Sequence, residues 1–287
     1  MPKTKNEIFE LYGGKVVIER TPTHRYYLST ENGEKLPKKK QLTGVTTFVD
    51  LLDKSRQLII WATRIYTEKM HEMMEGGVNF TPDDVKAMLE VARCEHTKKK
   101  ERAADIGSYV HKWAEEYAKT KDAKVAYDNV VNELGAPPEH IYKRIANSIK
   151  GLKEWLDDNV EILSSEGVVY SKKHGYCGQY DAIVMHNNGK YLVDFKTSKD
   201  IYSSHYYQTS AYLKGYEEEN PKDKLDGVLI ISIAKEDYYD KDGNLVKKAG
   251  EITTEFRSRA DLVKDFVAFK SLIALRKREK ENSKWVK

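Results

Sequence analysis

Asp181, Asp194 and Lys196 are the residues of this chain whose types and spacing suit chemistry best. They lie in the stretch 175–199, GYCGQYDAIVMHNNGKYLVDFKTSK, where two β-rich runs flank Asn188-Gly189. That dipeptide is a strong hairpin signal, because a type I′ turn needs positive φ at both central positions. With those two residues as the loop, Asn187 faces Lys190 and Asp181 faces Lys196. Directly paired residues share a face of the sheet, as do residues two apart on one strand. Asp181, Asp194 and Lys196 are then expected on one side of the hairpin, whose other positions are largely apolar. Charged groups there are costly to bury without partners. Two carboxylates with a lysine beside them can form a hard-oxygen metal site with a cation near a reacting phosphate. They can equally form a satisfied ion pair, and the residues alone leave both readings open.

The tripeptide Asp-x-Lys does not decide between them. It occurs at Asp84/Lys86, at Asp122/Lys124 and at Asp194/Lys196. Only the third lies in a β-run with an upstream aspartate in register; the first two fall in helical or turn contexts. A change of one residue in loop length would turn Asp181 to the other face, so the geometry depends on the loop. Downstream, Gln208 and Tyr212 are four apart and share a face of the helix that follows the hairpin.

Three segments in this order, Gly178-Gln-Tyr-Asp181, Val193-Asp-Phe-Lys-Thr197 and Gln208-Thr-Ser-Ala-Tyr212, resemble the PD-(D/E)XK nuclease superfamily, and within it the RecB-like exonuclease branch. Upstream, Gly107-Ser-Tyr-Val-His111 resembles the helical motif of that branch, and Leu42-Thr-Gly-Val-Thr-Thr47 with Leu58-Ile-Ile-Trp-Ala62 resembles the N-terminal part of phage-type members. The resemblance spans most of residues 42–212. It implies an α/β fold of the restriction-endonuclease type, with a central mixed sheet flanked by helices and a helical N-terminal elaboration. It implies Mg²⁺ or Mn²⁺ held by Asp181, Asp194, the Phe195 carbonyl and His111, with Lys196 at the attacking water. Gln208 and Tyr212 are implied to position the backbone of the site and the nucleic acid. The implied activity is hydrolysis of DNA phosphodiesters, as an exonuclease on single strands or duplex ends, in recombination, repair or replication. An endonuclease of the same superfamily, or a non-catalytic DNA-binding protein on the same fold, is the alternative, since fold does not fix function.

The chain also departs from parts of that family. Its two cysteines, Cys94 and Cys177, cannot hold the four-thiolate iron–sulfur cluster of some relatives. No G-x-x-x-x-G-K-[ST] loop marks a fused motor, and the proline that precedes the first acid elsewhere is absent. Outside the resemblance, His111 reads as a packed histidine or a ligand. Glu166, read as the start of the first core strand, is either an extra carboxylate near a metal or a surface acid. The runs Lys38–Lys40 and Lys98–Lys100 with Arg102, and the C-terminal Arg276, Lys277, Arg278 and Lys280, are candidate phosphate contacts, although charge runs usually coat a solvated face. Tyr202, Tyr206, Tyr207, Tyr212 and Tyr216 crowd one helix. For most of them ordinary helix–sheet packing is the expectation rather than base stacking.

Composition frames these groups. Of 287 residues, 40% are hydrophobic and 33% charged, and 49 Lys and Arg against 45 Asp and Glu leave +4. That bias is too weak to argue by itself for nucleic acid. The longest apolar run, Val228–Ala234, falls far short of a membrane span, which needs about 20 residues, and MPKTKNEIFE shows no segment resembling a signal peptide. A soluble, cytoplasmic protein of a bacterial or phage-infected cell, with no membrane partner, is expected. One nuclease domain over 1–287 is expected, with N-terminal strands and helices at 1–100, a catalytic core at 101–256 and a basic C-terminal helix at 257–287. Within it the spacing predicts helices over 55–74, from 81, over 101–119, 139–158 and 201–219. Strands are expected over 15–19, 24–30, 166–172, 178–186, 190–197 and 227–234, and 245–256 is expected to complete a hairpin.

Overall fold

The computed structural model describes residues 6–75, 77, 79–158 and 160–283. In chain order, strands β1 (Glu7–Leu11), β2 (Val16–Arg20), β3 (Tyr26–Glu31) and β4 (Glu34–Gly44) lead into helix α1 (Val45–Val49). Four helices follow: α2 (Ser55–Met74), α3 (Pro82–Thr120), α4 (Ala123–Leu134) and α5 (Glu139–Asp157). Then come β5 (Val160–Ser171), β6 (Tyr176–His186), β7 (Gly189–Lys196), α6 (Ser203–Glu219) and β8 (Gly227–Ile233). The small pair β9 (Tyr238–Tyr239) and β10 (Leu245–Lys247), strand β11 (Ile252–Ser258) and helix α7 (Arg259–Asn282) complete the described chain. The elements form two compact units: residues up to Leu51 together with Tyr109 onward, and Leu52–Ser108.

In the first unit, a mixed sheet runs β1-β2-β3-β4-β6-β7-β8-β11, with β5 on the second edge of β6. It is flanked by helices. β8 is buried at all seven positions, as the run GVLIISI requires of a strand covered on both faces. β7 pairs with β8 in parallel, and α6 makes the crossover between them. On α3 the stripe that the spacing predicts is buried at Ile106, Val110, Trp113 and Tyr117.

The feature that positions the site is a fork in the sheet. β4 pairs with β6 only at Thr43–Tyr176 and Gly44–Cys177 before the chain turns into α1. β7 pairs with the far part of β6, from Ala182–Val193 to His186–Gly189. Gly178 to Tyr180 therefore pair with β5 alone, and that edge of β6 is open to side chains.

Several expectations need correction. The hairpin loop is Asn187-Asn188, not Asn188-Gly189: His186 pairs with Gly189, and both asparagines take positive φ, 48° and 63°. Asparagine tolerates the left-handed region, which the more familiar Asn-Gly signal obscures. The loop keeps two residues, so the shift moves each pairing by two and leaves the faces unchanged; continuing the register puts Asp181 opposite Asp194 rather than Lys196. The helices expected from Thr81 and over 101–119 are one helix, α3, because no Pro or Gly pair interrupts the run between them. β5 begins at Val160, so Glu166 is mid-strand. Residues 252–258 do complete an antiparallel pair with β8, as expected of 245–256, but 245–247 pair with β9 instead. Finally, the last four residues of the basic tail lie outside the described residues.

Candidate active site

Asp181 stands where the β6–β7 ladder opens. Its Oδ2 accepts a hydrogen bond of 2.6 Å from the Phe195 amide, so a carboxylate replaces a ladder carbonyl. Its Oδ1 lies 3.1 Å from Nδ1 of His111 on α3. Asp194, on β7, is only 2% exposed, and its Oδ2 meets Lys196 Nζ at 2.6 Å. Among the described residues, Lys196 is the partner that this buried oxygen has.

Glu166 comes from the other side. On β5 it takes φ 54°, the left-handed region that a side chain rarely adopts, and its carboxylate receives Gln179 Nε2 from β6. His111, Glu166 and Asp181 each present one ligand atom, and these atoms lie within 4.8 Å of one another. One nitrogen and two carboxylate oxygens form a donor set that suits a divalent cation of the Mg²⁺ or Mn²⁺ kind. A cavity of about 10 Å³ opens among His111, Glu115, Glu166, Asp181 and Phe195, roughly the volume that the centre of one water needs. The structure thus brings together Asp181, His111, Glu166 and the Phe195 amide, and pairs Asp194 with Lys196 beside them.

The electrostatics reflect crowding. Burial, then the nearby Asp181 charge, pushes the Glu166 carboxyl up to about 7. Asp194 is also raised, by burial above all, with Asp181 adding to it and Lys196 opposing. Burial works against the Asp181 charge too, but the His111 and Lys196 cations outweigh it and hold its carboxyl below the usual range. For both cations burial opposes the charge and the aspartates prevail, so His111 and Lys196 are raised.

The α6 pair packs against the fork. Gln208 Nε2 donates to the Tyr212 hydroxyl at 2.7 Å, and the Tyr212 ring is buried. A Cβ on Gly178 would come within 2.5 Å of Tyr212 Cε1 and 3.0 Å of Val45 Cγ2, so this glycine is what lets the ring reach the sheet. Most of the other α6 tyrosines pack as expected: Tyr216 donates to Asp223 at 2.6 Å, and Tyr206 lies under Arg257, 4.2 Å from its ring centroid.

Two further residues at the site escape a reading of the sequence. Gln179 sits inside the Gly178–Asp181 segment but carries no charge to draw notice. Glu115 follows His111 by four residues on α3, and that helical spacing is the available signal. The two remaining Asp-x-Lys aspartates support local structure. Asp122 caps α4, accepting from the Lys124 and Val125 amides, and Asp84 exchanges hydrogen bonds with Thr81 at the start of α3. Of the C-terminal basic residues, Arg276 and Lys280 line one pocket, whereas Arg278 pairs with Glu281 at 3.3 Å. Lys39 pairs with Glu19 at 2.6 Å, and Lys99 lies 3.7 Å from Glu68. No helix among the described residues is long and apolar enough to cross a membrane.

No curated protein matches the chain. A solved structure, that of SSO0001, is similar over 74% of this chain and 86% of its own, at 14% identity and a TM-score of 0.25. The family that matches is the PD-(D/E)XK nuclease superfamily, whose nucleases use divalent metals, and it matches residues 85–280. That span holds His111, Glu166, strands β5 to β7 of the fork and α6, and the chain belongs to the PD-(D/E)XK nuclease superfamily.

Proposed function

We propose that the chain is a divalent-metal-dependent deoxyribonuclease of the RecB-like branch, acting as an exonuclease on single-stranded or duplex DNA ends in recombination, repair or replication. The observation that carries this reading is the buried meeting of three carboxylates, one imidazole and one lysine at the fork. The group places ligand atoms of His111, Glu166 and Asp181 within 4.8 Å of one another and pushes the Glu166 carboxyl up to about 7. An arrangement that served only stability would not keep neighbouring carboxylates so poorly compensated.

Asp181 and Asp194, with His111, Glu166 and the Phe195 carbonyl, are the groups to hold one or two Mg²⁺ or Mn²⁺ ions. Such an ion, when bound, supplies positive charge against the scissile phosphate and lowers the pKa of its water. Asp181 also holds His111 in one orientation through Nδ1 and fixes the Phe195 amide, which sets where β7 leaves the ladder. Lys196 Nζ, close to Asp194, orients the attacking water and offsets the charge that develops on the phosphate oxygens. Gln179 holds Glu166 toward the cluster, and Gln208 holds Tyr212 against Gly178, so both act as positioning residues. Arg276 and Lys280 serve the nucleic-acid backbone.

End-labelled single- and double-stranded DNA, incubated with Mg²⁺, with Mn²⁺ and with excess EDTA, tests this function. Shortening from the ends with either metal and none in EDTA is expected. Cleavage undiminished by EDTA contradicts the metal-dependent site, and internal cuts in a circular substrate contradict the exonuclease assignment.

A further inference from the structure

Away from the fork, α7 brings Arg276 and Lys280, four residues apart on one helix face, over the turn from β4 into α1. They line a cavity of about 280 Å³ with Arg25, Tyr26, Thr46 and Thr47 among its walls. The charges in it are one-sided. Among the described residues, neither Arg25, Arg276 nor Lys280 forms an ion pair, although the protein carries 45 acidic residues. Arg276 Nε is buried with no hydrogen-bond partner, and its guanidinium sits 5.9 Å from the Phe48 ring centroid. A buried guanidinium N–H that no protein acceptor meets is costly, and an anionic oxygen is the acceptor it fits best.

The neutral walls suit the same guest. The hydroxyls of Thr46 and Thr47 converge above Gly44: a Cβ placed there would lie 3.8 Å from one and 3.7 Å from the other, with the Tyr26 ring at 3.8 Å. Gly44 pairs with Cys177 on β6, four residues before Asp181. At strand rise the pocket therefore opens ~13 Å from the candidate active site along the same strand.

We infer that this pocket binds a phosphate group of the nucleic-acid strand, with Arg276 and Lys280 as the charged contacts and the Thr46 and Thr47 hydroxyls as neutral donors. The nuclease reading is needed only to name a nucleic acid as the source of that phosphate. The group is either the phosphomonoester at a strand end or an internal phosphodiester, and binding separates the two. The site also divides the basic C-terminal run, because Arg276 and Lys280 face the pocket while Arg278 is taken by Glu281.

The test is binding of one single-stranded DNA sequence with a 5′-phosphate, a 3′-phosphate or only hydroxyl ends, measured in EDTA over a series of salt concentrations. Wild type is compared with Arg276→Gln, Lys280→Gln and the double variant. Lys150→Gln, at an exposed lysine, makes the same charge change elsewhere. Each pocket variant should weaken binding about 10- to 100-fold, the scale of one charge-assisted hydrogen bond. Each should also flatten the slope of log affinity against log salt by about 0.7 for every phosphate the protein no longer neutralises. If the weakening appears only for one phosphorylated end, the pocket reads strand ends; an equal weakening for all three substrates assigns an internal phosphodiester. Lys280 is exposed, so its variant remains informative should Arg276→Gln disturb Phe48. Wild-type affinity and slope in both single variants, or effects no larger than those of Lys150→Gln, overturn the proposal. Because binding is read without metal, a pocket effect in a protein that never cleaves DNA would defeat the nuclease reading alone. Metal-dependent cleavage with unchanged binding in the variants would defeat the pocket alone.

Discussion

Neighbouring residues of α3, His111 and Lys112, belong to two charge clusters with equal numbers of charged groups and opposite character. Around Lys112 are Glu115, which also lines the cavity at the fork, Glu116 and Glu133 with a second cation, Lys119: three carboxylates and two cations. Around His111 are Glu166, Asp181 and Asp194 with Lys196, again three carboxylates and two cations once the imidazole is protonated. Lys112 meets all three of its carboxylates, at 2.8, 3.2 and 2.9 Å, and Lys119 meets two of them. Although burial opposes its charge, Glu116 is held down to about 2 by hydrogen bonds from Lys119, Lys112 and Asn129. At the fork each cation meets one aspartate, Glu166 is left to the neutral amide of Gln179, and its carboxyl rises to about 7. What separates the clusters is how the cations are distributed, not how many there are. One cluster is complete as folded; the other is arranged for positive charge that the chain does not supply.

The largest separation is expected from removing a lysine from each. Lys196→Ala should lower the single-turnover rate of bound DNA on the order of 10²–10³-fold, the scale of one preorganised electrostatic group, while binding in Ca²⁺ falls far less. A wild-type rate with only weaker affinity would make Lys196 a positioning residue. Lys112→Met should do the reverse: it should cost about 1–3 kcal/mol in denaturant unfolding, since it strands partly buried carboxylates, and leave the rate of bound DNA nearly unchanged.

The two clusters should also respond to pH with opposite signs. Glu116 is depressed on folding, so its contribution is present above its ordinary value near 4.5 and is lost as pH falls toward about 2. Glu166 is raised, so folding is favoured by its proton below about 4.5, and that contribution is lost as pH rises through about 7. In EDTA, Glu166→Gln should therefore match wild type in thermal stability near pH 4 and exceed it near pH 8. A constant difference across that range would contradict the crowding inferred at the fork.

A smaller effect should follow from Gly178→Ala. The added methyl lies too close to Tyr212 and Val45, so the ring must move. A destabilisation of roughly 1–3 kcal/mol, with a rate about 10-fold lower, is expected from unfolding and single-turnover measurements. The smallest effects belong to the remaining Asp-x-Lys pairs. Asp84→Asn and Asp122→Asn should leave cleavage untouched, and Asp122→Ala should cost about 1 kcal/mol through removal of a helix cap.

Much of this is legible in the sequence because it rests on local pattern. The β-rich runs around the asparagines, the Asp-x-Lys in register with an upstream aspartate, and the four-residue spacing of Gln208 and Tyr212 each imply a shared face. The loop lies one residue from where the sequence points, because two asparagines can take the left-handed backbone that Asn-Gly signals more strongly. That Glu166 stands beside His111 and Asp181 is not legible, since it depends on β5 pairing along β6 and on a left-handed residue inside a strand. The fork is not legible either. It arises because β4 leaves β6 at Gly44 before β7 joins at Ala182, and no local pattern encodes where two strands part from a third. The pocket under α7 joins Arg25 and Arg276, residues from opposite ends of the sequence that only the folded chain brings together.

The claim that one cluster serves chemistry and the other stability meets its most direct test in Asp194→Asn, with single-turnover cleavage in Mg²⁺ and unfolding in EDTA measured on the same preparation. The amide keeps the size of the side chain, removes one crowded carboxylate and leaves Lys196 with Asp181 as counter-charge. The account predicts a folded protein, at least as stable as wild type, that no longer cleaves DNA. Cleavage at the wild-type rate would contradict it, as would a loss of activity that merely follows a loss of stability.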